Sequence, residues 1–146
     1  LNSHLELLGT SMPRNVFQAP CPNTLFDAAC TLSAASFAVT GTVAAGSNSS
    51  VIKANISAPA GSGTYALGRI VFSSGANATF QRGIRFYLAG LPAQLTLVAP
   101  FSFPVAVGDA FTVYPGCDKQ QSTCALFGNS ANFRGQPFIP APELSV

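Results

Sequence analysis

Between residues 34 and 114 the chain is a succession of short β-type runs cut by turn chemistry, and this pattern limits the fold more than any other feature. The runs are SFAVTGTVAA, SVIKANIS, LGRIVFSS, TFQRGIRFYLAG, AQLTLVAP and DAFTVYPG. They are rich in Val, Ile, Thr, Phe and Tyr, and several alternate apolar with polar residues, as a half-buried strand requires. GSNSS, APAGSG, SSGANA, AGLPA and PFSFPVAVGD separate them, and Gly, Pro, Asn and Ser are the residues that turns select. Six short strands so spaced predict an all-β chain, a small antiparallel β-barrel or sandwich. Closure of the sheet would remove the edges at which strands aggregate.

Short helical segments are expected at both ends of this core. PNTLFDAAC (22–30) offers Pro22 for a first turn and Asn23 or Thr24 for a cap. DKQQSTCALFG (118–128) offers Asp118 as a cap and Gly128 as the terminating glycine. Residues 1–20 read as a lead-in or linker, residues 21–135 as one domain, and residues 136–146 as an extended tail, since Pro137, Pro140 and Pro142 oppose regular structure.

The composition narrows the function classes. Charged residues are 8% of the 146 and hydrophobic residues 48%. No apolar run reaches the roughly 18 residues that a membrane helix needs. Low charge without such a segment suggests that other chains cover part of the surface. The five arginines and two lysines are scattered, and a net charge of +2 gives no basic stripe for nucleic acid. The first 17 residues have neither the basic nor the apolar region of a signal peptide.

An enzyme is the weaker expectation. The single histidine, His4, lies near one end, so Ser-His-Asp and Cys-His arrangements would rest on it alone. Of the five carboxylates, Glu6, Asp27, Asp109, Asp118 and Glu143, none is close to another in sequence, and Asp109 and Asp118 read as turn and cap residues. Arg82 and Arg85 read as solvent-facing strand charges more readily than as a partner site. N-x-[ST] sequons at Asn48, Asn55 and Asn77 are expected by chance in a Ser/Asn-rich chain.

Four cysteines remain. Cys21 and Cys30 form C-x8-C, Cys117 and Cys124 form C-x6-C, and 86 residues intervene. Seven residues of continuous helix rise about 10 Å, beyond the roughly 7 Å Cα separation a disulfide bridges. Bonds across the two pairs are therefore easier than bonds within them, and so is one centre fed by all four thiolates. The spacing is not the C-x2-C of a zinc ribbon. Disulfides, an iron–sulfur cluster, zinc and free thiols all stay open on these grounds.

The stretch FPVAVGDAFTVYPGCDKQQSTCALFGNSANFRGQPFIP (103–140) resembles the C-terminal signature of the phage tail hub or tail-tip family of siphophages and gene transfer agents. The matching residues are Gly108, Asp109, Phe111, Gly116, Cys117, Cys124, Phe127, Asn129, Asn132, Phe133, Arg134, Gly135 and Pro137, with one residue of spacing differing around Gly128 and Asn129. Arg14, Phe17, Cys21 and Cys30 resemble the family's R-x-x-[FY]-x-x-x-C-x8-C segment, and Gly75, Asn77 and Arg82 its central hairpin. The resemblance implies a non-enzymatic structural protein of the distal virion tail, made in the bacterial cytoplasm. It implies a homotrimer assembling with the distal tail protein and the central tail tip or fiber protein. It also implies a [4Fe-4S] cluster on Cys21, Cys30, Cys117 and Cys124; cross-pair disulfides or zinc are the alternatives. Such a cluster would tie the two ends of the domain across nearly its whole length, as a crosslink over a long loop does. Family members usually carry a hub domain ahead of this region, so the chain is expected to be a split version or part of a longer one. The tail, with Phe138 and Ile139 as anchors, is expected to lie on a neighbouring subunit. The competing expectation is a disulfide-bonded β-module on a virion or cell surface that binds a receptor or glycan; a tail-borne peptidoglycan hydrolase ranks third.

Overall fold

In the computed structural model, which describes residues 18–138, all six expected strands form. They are β1 (Val39–Thr42), β2 (Val51–Ala54), β3 (Arg69–Phe72), β4 (Gln81–Leu88), β5 (Ala93–Leu97) and β6 (Ala110–Tyr114). Every pairing is antiparallel, in the order β1-β6-β3-β4-β5-β2. A bridge between Val43 and Ala54 joins the two outer strands, and Ala44 N–H donates to the Lys53 carbonyl at 2.7 Å beside it. The sheet is thus a nearly closed barrel, and its edges are largely satisfied.

Period-2 burial explains the strands. β2, β3, β5 and β6 alternate buried with less buried positions, which places Ile52, Ile70, Phe72, Leu95, Leu97, Phe111 and Val113 inside. Phe72 packs edge-on against Phe101 at 4.8 Å and tilted against Phe111 at 5.8 Å. Each such ring or aliphatic side chain removed from water contributes roughly 1.5–3 kcal/mol. Tyr65 joins them with its hydroxyl donating to the Ser57 carbonyl at 3.0 Å, and its burial pushes its pKa up to about 12.

β4 departs from the alternation. A register irregularity between Ile84 and Phe86 leaves Ile84 inside but turns Phe86, Leu88 and, in the following turn, Leu91 to the surface. Bulges re-aim side chains in this way. Arg82 and Arg85 lie on this strand, Arg82 over the Phe101 ring and Arg85 over Phe86. Asn77 is wholly buried, with its amide donating to the Phe103 and Pro104 carbonyls and accepting from Phe103 N–H. It pins the 98–109 loop to the hairpin and is no glycan acceptor in the folded chain, whereas Asn48 and Asn55 are exposed.

The helical expectations are half met. α1 (Gln121–Leu126) forms within 118–127 and ends at Gly128 with φ +68°. Its N-cap is Gln120; Asp118 acts one step earlier, accepting Gln120 N–H at 3.0 Å. Residues 22–30 are turns rather than helix. Asp27 accepts hydrogen bonds from Thr24 N–H and Cys30 N–H, and Phe26 and Thr31 sit in the left-handed region at φ 69° and 63°, which interrupts any helix. A 3₁₀ turn at Ala34–Phe37 leads into β1, and a second spans Ser130–Asn132. Among the described residues no helix is long and apolar enough to cross a membrane.

Candidate thiol site

The chain leaves β6 through Pro115 and Gly116 and runs into Cys117, so the barrel positions the second cysteine pair directly. The first pair arrives from the other end of the domain. Cys21 N–H donates to the Lys119 carbonyl at 2.9 Å and Gln136 N–H to the Gln18 carbonyl at 2.8 Å. Asn23 Nδ2 donates to the Asn132 carbonyl at 3.3 Å, and Lys119 Nζ donates to the Asn23 carbonyl. The two straps cap the barrel, and aromatic contacts anchor them: Phe26 against Phe37 and Tyr114, and Phe37 edge-on against Phe127 at 5.2 Å.

Between the straps lies a narrow cavity lined by all four cysteines, with Asn23, Lys119, Asn129 and Asn132 among its other walls. The structure therefore brings Cys21, Cys30, Cys117 and Cys124 together although 86 residues separate the pairs. Each is half-buried and none is joined in a disulfide. Among the described residues no three His, Cys, Asp or Glu side chains gather tightly enough for one metal ion.

Hydrogen bonds frame the sulfurs. Lys119 N–H, on a left-handed residue with φ 68°, points at Cys117 Sγ at 3.4 Å. Cys124 Sγ–H donates to the Asn129 carbonyl at 3.1 Å, and Asn129 Nδ2 is 3.6 Å from Cys30 Sγ. Burial pushes the Cys117 thiol up, partly offset by the Lys119 N–H and charge, and burial with the three neighbouring sulfurs pushes Cys124 up. A metal entering here must displace protons, as thiolate sites require.

The donor chemistry fits a thiolate-held cluster. The lining contains four sulfurs and no imidazole or carboxylate. An all-sulfur donor set is one that the irons of a cluster take and that tetrahedral zinc also takes.

Asp27 shapes the first strap. The hydrogen bond from Cys30 N–H, with those from Thr24 and Ala29 and the Lys119 charge, holds its carboxyl below the usual carboxylate range against a smaller effect of burial. A depressed pKa stabilises the folded turn above the unfolded value and ceases to do so as pH falls through the folded one. The protection factors of the amides at residues 24–31, taken against intrinsic exchange at each pH, are thus expected to hold at neutral pH and to fall only in acid, below the ordinary carboxylate range. Asp27→Asn, which turns an NH₂ toward one of the backbone donors, is expected to lower them at neutral pH while those of strands β2 to β6 are unchanged. Equal protection in the variant would show that the carboxylate does not hold the turn.

The remaining sequence candidates lie elsewhere. Asp109 accepts Ala106 N–H at 2.9 Å in the turn before β6, so it and Asp118 both serve backbone donors. His4, Glu6, Arg14, Phe17 and Glu143 lie outside the described residues, as do Ile139 and the rest of the tail beyond Phe138, which is exposed. Lys119, not singled out from sequence, and Asn23, read there only as a cap, are part of the cavity wall; only their nearness to Cys21 and Cys117 hinted at it.

Comparisons with known proteins agree with this architecture. Over 94% of its length, at 25% identity and a TM-score of 0.73, the chain is similar to a chain in the structure of the virion of a native gene transfer agent (GTA) particle. It spans 48% of that chain, about half its length. A search of the curated proteins finds no match. The model of a phage family, described as phage conserved hypothetical protein BR0599, matches residues 63–143, from the turn before β3 through β6 and the second cysteine pair. With more than half of its residues inside that match, the chain belongs to the BR0599 family of phage-associated proteins.

Proposed function

We propose that the chain is a non-enzymatic structural component of the distal tail, a baseplate hub or tail-tip subunit of a siphophage or phage-like particle. The observation that carries this reading is the likeness, along 94% of the chain, to a protein of a gene transfer agent virion. Membership of a phage family and the tail-tip signature at 103–140 support it. In this reading the chain assembles as a homotrimer and contacts the distal tail protein and the central tip or fiber protein. The exposed Phe86, Leu88 and Leu91 of the β4–β5 hairpin supply the apolar surface that a subunit inside a particle would cover.

The thiol site has a structural role in this reading. Cys21, Cys30, Cys117 and Cys124 would hold a [4Fe-4S] cluster, which when bound supplies a strong, multi-point crosslink. Asn129 and the Lys119 N–H orient the ligands, and the aromatic contacts of Phe26, Phe37 and Phe127 hold the straps against the barrel. No step of substrate chemistry is assigned to any residue.

Antibody raised against the chain and visualised by gold labelling on purified particles is expected at the tail end distal to the head. Labelling along the tube or on the head, or none on intact and on detergent-opened particles, would overturn the placement.

A further inference from the structure

We propose that Asn129 is a positioning residue of the thiol site, which locks Cys30 and Cys124 in one frame and directs an N–H at the Cys30 sulfur. The proposal rests on the iron–sulfur reading and goes beyond the four ligands. Asn129 is 6% exposed, and with Asn77 it makes up the buried polar side chains of the described residues. Its backbone is committed to one cysteine: N–H donates to the Cys124 carbonyl at 3.0 Å, a bond that survives ligation, whereas the 3.1 Å bond from Cys124 Sγ–H to the Asn129 carbonyl belongs to the metal-free thiol alone. Its side chain is committed to the other. Nδ2 donates to the Cys30 carbonyl and stands 3.6 Å from Cys30 Sγ, while Oδ1 accepts from Asn132 Nδ2 at 2.7 Å.

This arrangement fixes which end of the amide faces the cysteine. The Cys30 carbonyl can only accept, so the NH₂ end must face it. Asn132 reinforces the frame by donating also to Thr31 Oγ1 at 2.9 Å and by accepting Asn23 Nδ2 on its carbonyl. One buried residue therefore links the strap that carries Cys30, 99 residues before it in the chain, to the end of α1, the helix that contains Cys124. Only a neutral side chain with both a donor and an acceptor serves here. A carboxylate would oppose the Cys30 carbonyl and any thiolate, and an apolar group would leave both amide partners unpaired. Hydrogen bonds to sulfur and local charge are among the terms that set a cluster's potential, so the Asn129 N–H acts on the electronics of the site as well as on its shape.

The test uses the full chain, reconstituted anaerobically with ferrous iron and sulfide. Asn129→Asp keeps the size and the acceptor for Asn132 but replaces the donor by a negative charge. Release of iron to a chelator is expected to be about tenfold faster than in wild type, the lower end of what loss of an outer-shell partner costs. The midpoint potential is expected to move negative, because a donor to sulfur is lost and charge is added. Loosened packing alone would admit water, which favours the more highly charged reduced state and moves the potential positive; that sign, or unchanged release and potential, overturns the positioning role while leaving the iron–sulfur reading intact. A wild-type chain that takes up no iron overturns the iron–sulfur reading and this proposal with it. Should Asn129→Asp fail to fold, Asn132→Ala replaces it: freeing the Oδ1 end is expected to speed iron release by a smaller factor, and a wild-type rate there overturns the proposal.

Discussion

Anaerobic reconstitution of the wild-type chain with ferrous iron and sulfide is expected to give a brown protein with broad visible absorbance, and Cys30→Ala or Cys124→Ala is expected to lose most of the bound iron. The four sulfurs line one cavity and come from both ends of the domain, so removing one opens the centre rather than trimming its edge. The strands should survive, because the core around Phe72, Phe111 and Leu95 lies within the barrel and is independent of the straps. A group bound only by the folded chain stabilises it by mass action. By analogy with a crosslink closing a loop of this length, the cluster should add on the order of 4 kcal/mol in the chain-entropy picture. The melting temperature of the loaded protein should then exceed that of the iron-free protein by on the order of 10 °C. Colourless protein with four titratable thiols after anaerobic loading, or full iron retention in both variants, would remove the cluster from the account. Asn129→Asp would then have nothing to modulate.

Gly116→Ala is expected to destabilise the chain by about 3 kcal/mol, the upper end of the usual cost of overpacking, and to lower the melting temperature by on the order of 10 °C. A Cβ on Gly116 would lie 2.0 Å from the Ala66 carbonyl oxygen, 2.5 Å from the Leu67 carbonyl carbon and 2.6 Å from Gly68 N. The obstruction is mutual, since a Cβ on Gly68 would lie 2.1 Å from the Tyr114 carbonyl oxygen. Two backbones pass in contact here, the exit of β6 and the turn that enters β3. Neither can swing aside as a flexible side chain would: Gly68 N–H is bonded to the Tyr65 carbonyl at 3.0 Å, and Tyr65 is fully buried. Cys117 is the next residue, so iron retention should fall with stability. Gly90→Ala is the control, because its nearest heavy atom, the Pro92 carbonyl oxygen, is 3.4 Å away, and it should change stability by only a few tenths of a kcal/mol. Equal melting of the two variants would refute the steric account.

The strands were legible because their signal is local. Alternation in VIKA, AQLTL and AFTVY reflects the two faces of a sheet with one face buried, and the structure buries Ile52, Ala93, Leu95, Leu97, Phe111 and Val113 accordingly. The turns were legible through their Gly and Pro content. The segment 22–30 misled because its residues suit a first helical turn equally well. What decided it was the Asp27 carboxylate capturing the Thr24 and Cys30 N–H groups, and Phe26 adopting a left-handed backbone while packing on Phe37 and Tyr114. Those partners are fixed only once the barrel exists. In the same way the irregularity at Ile84 and Phe86 turned Phe86 and Leu88 outward, which a strict period of two counted from Ile84 would have sent inward, and brought Tyr87 against the core instead.

By itself the sequence determined six short strands of an antiparallel barrel or sandwich, a helix ending at Gly128, and two pairs of thiols with no other reactive cluster beside them, because strand period, turn chemistry and residue identity are local properties. Tertiary structure alone decided that Cys21 and Cys30 face Cys117 and Cys124, that Asn129 and Lys119 frame the sulfurs, and that Asn77 is a buried staple rather than a surface acceptor. These depend on contacts between residues 26 to 109 positions apart. Such contacts form only when closure of the barrel and burial of its core have offset the entropy of bringing distant segments together.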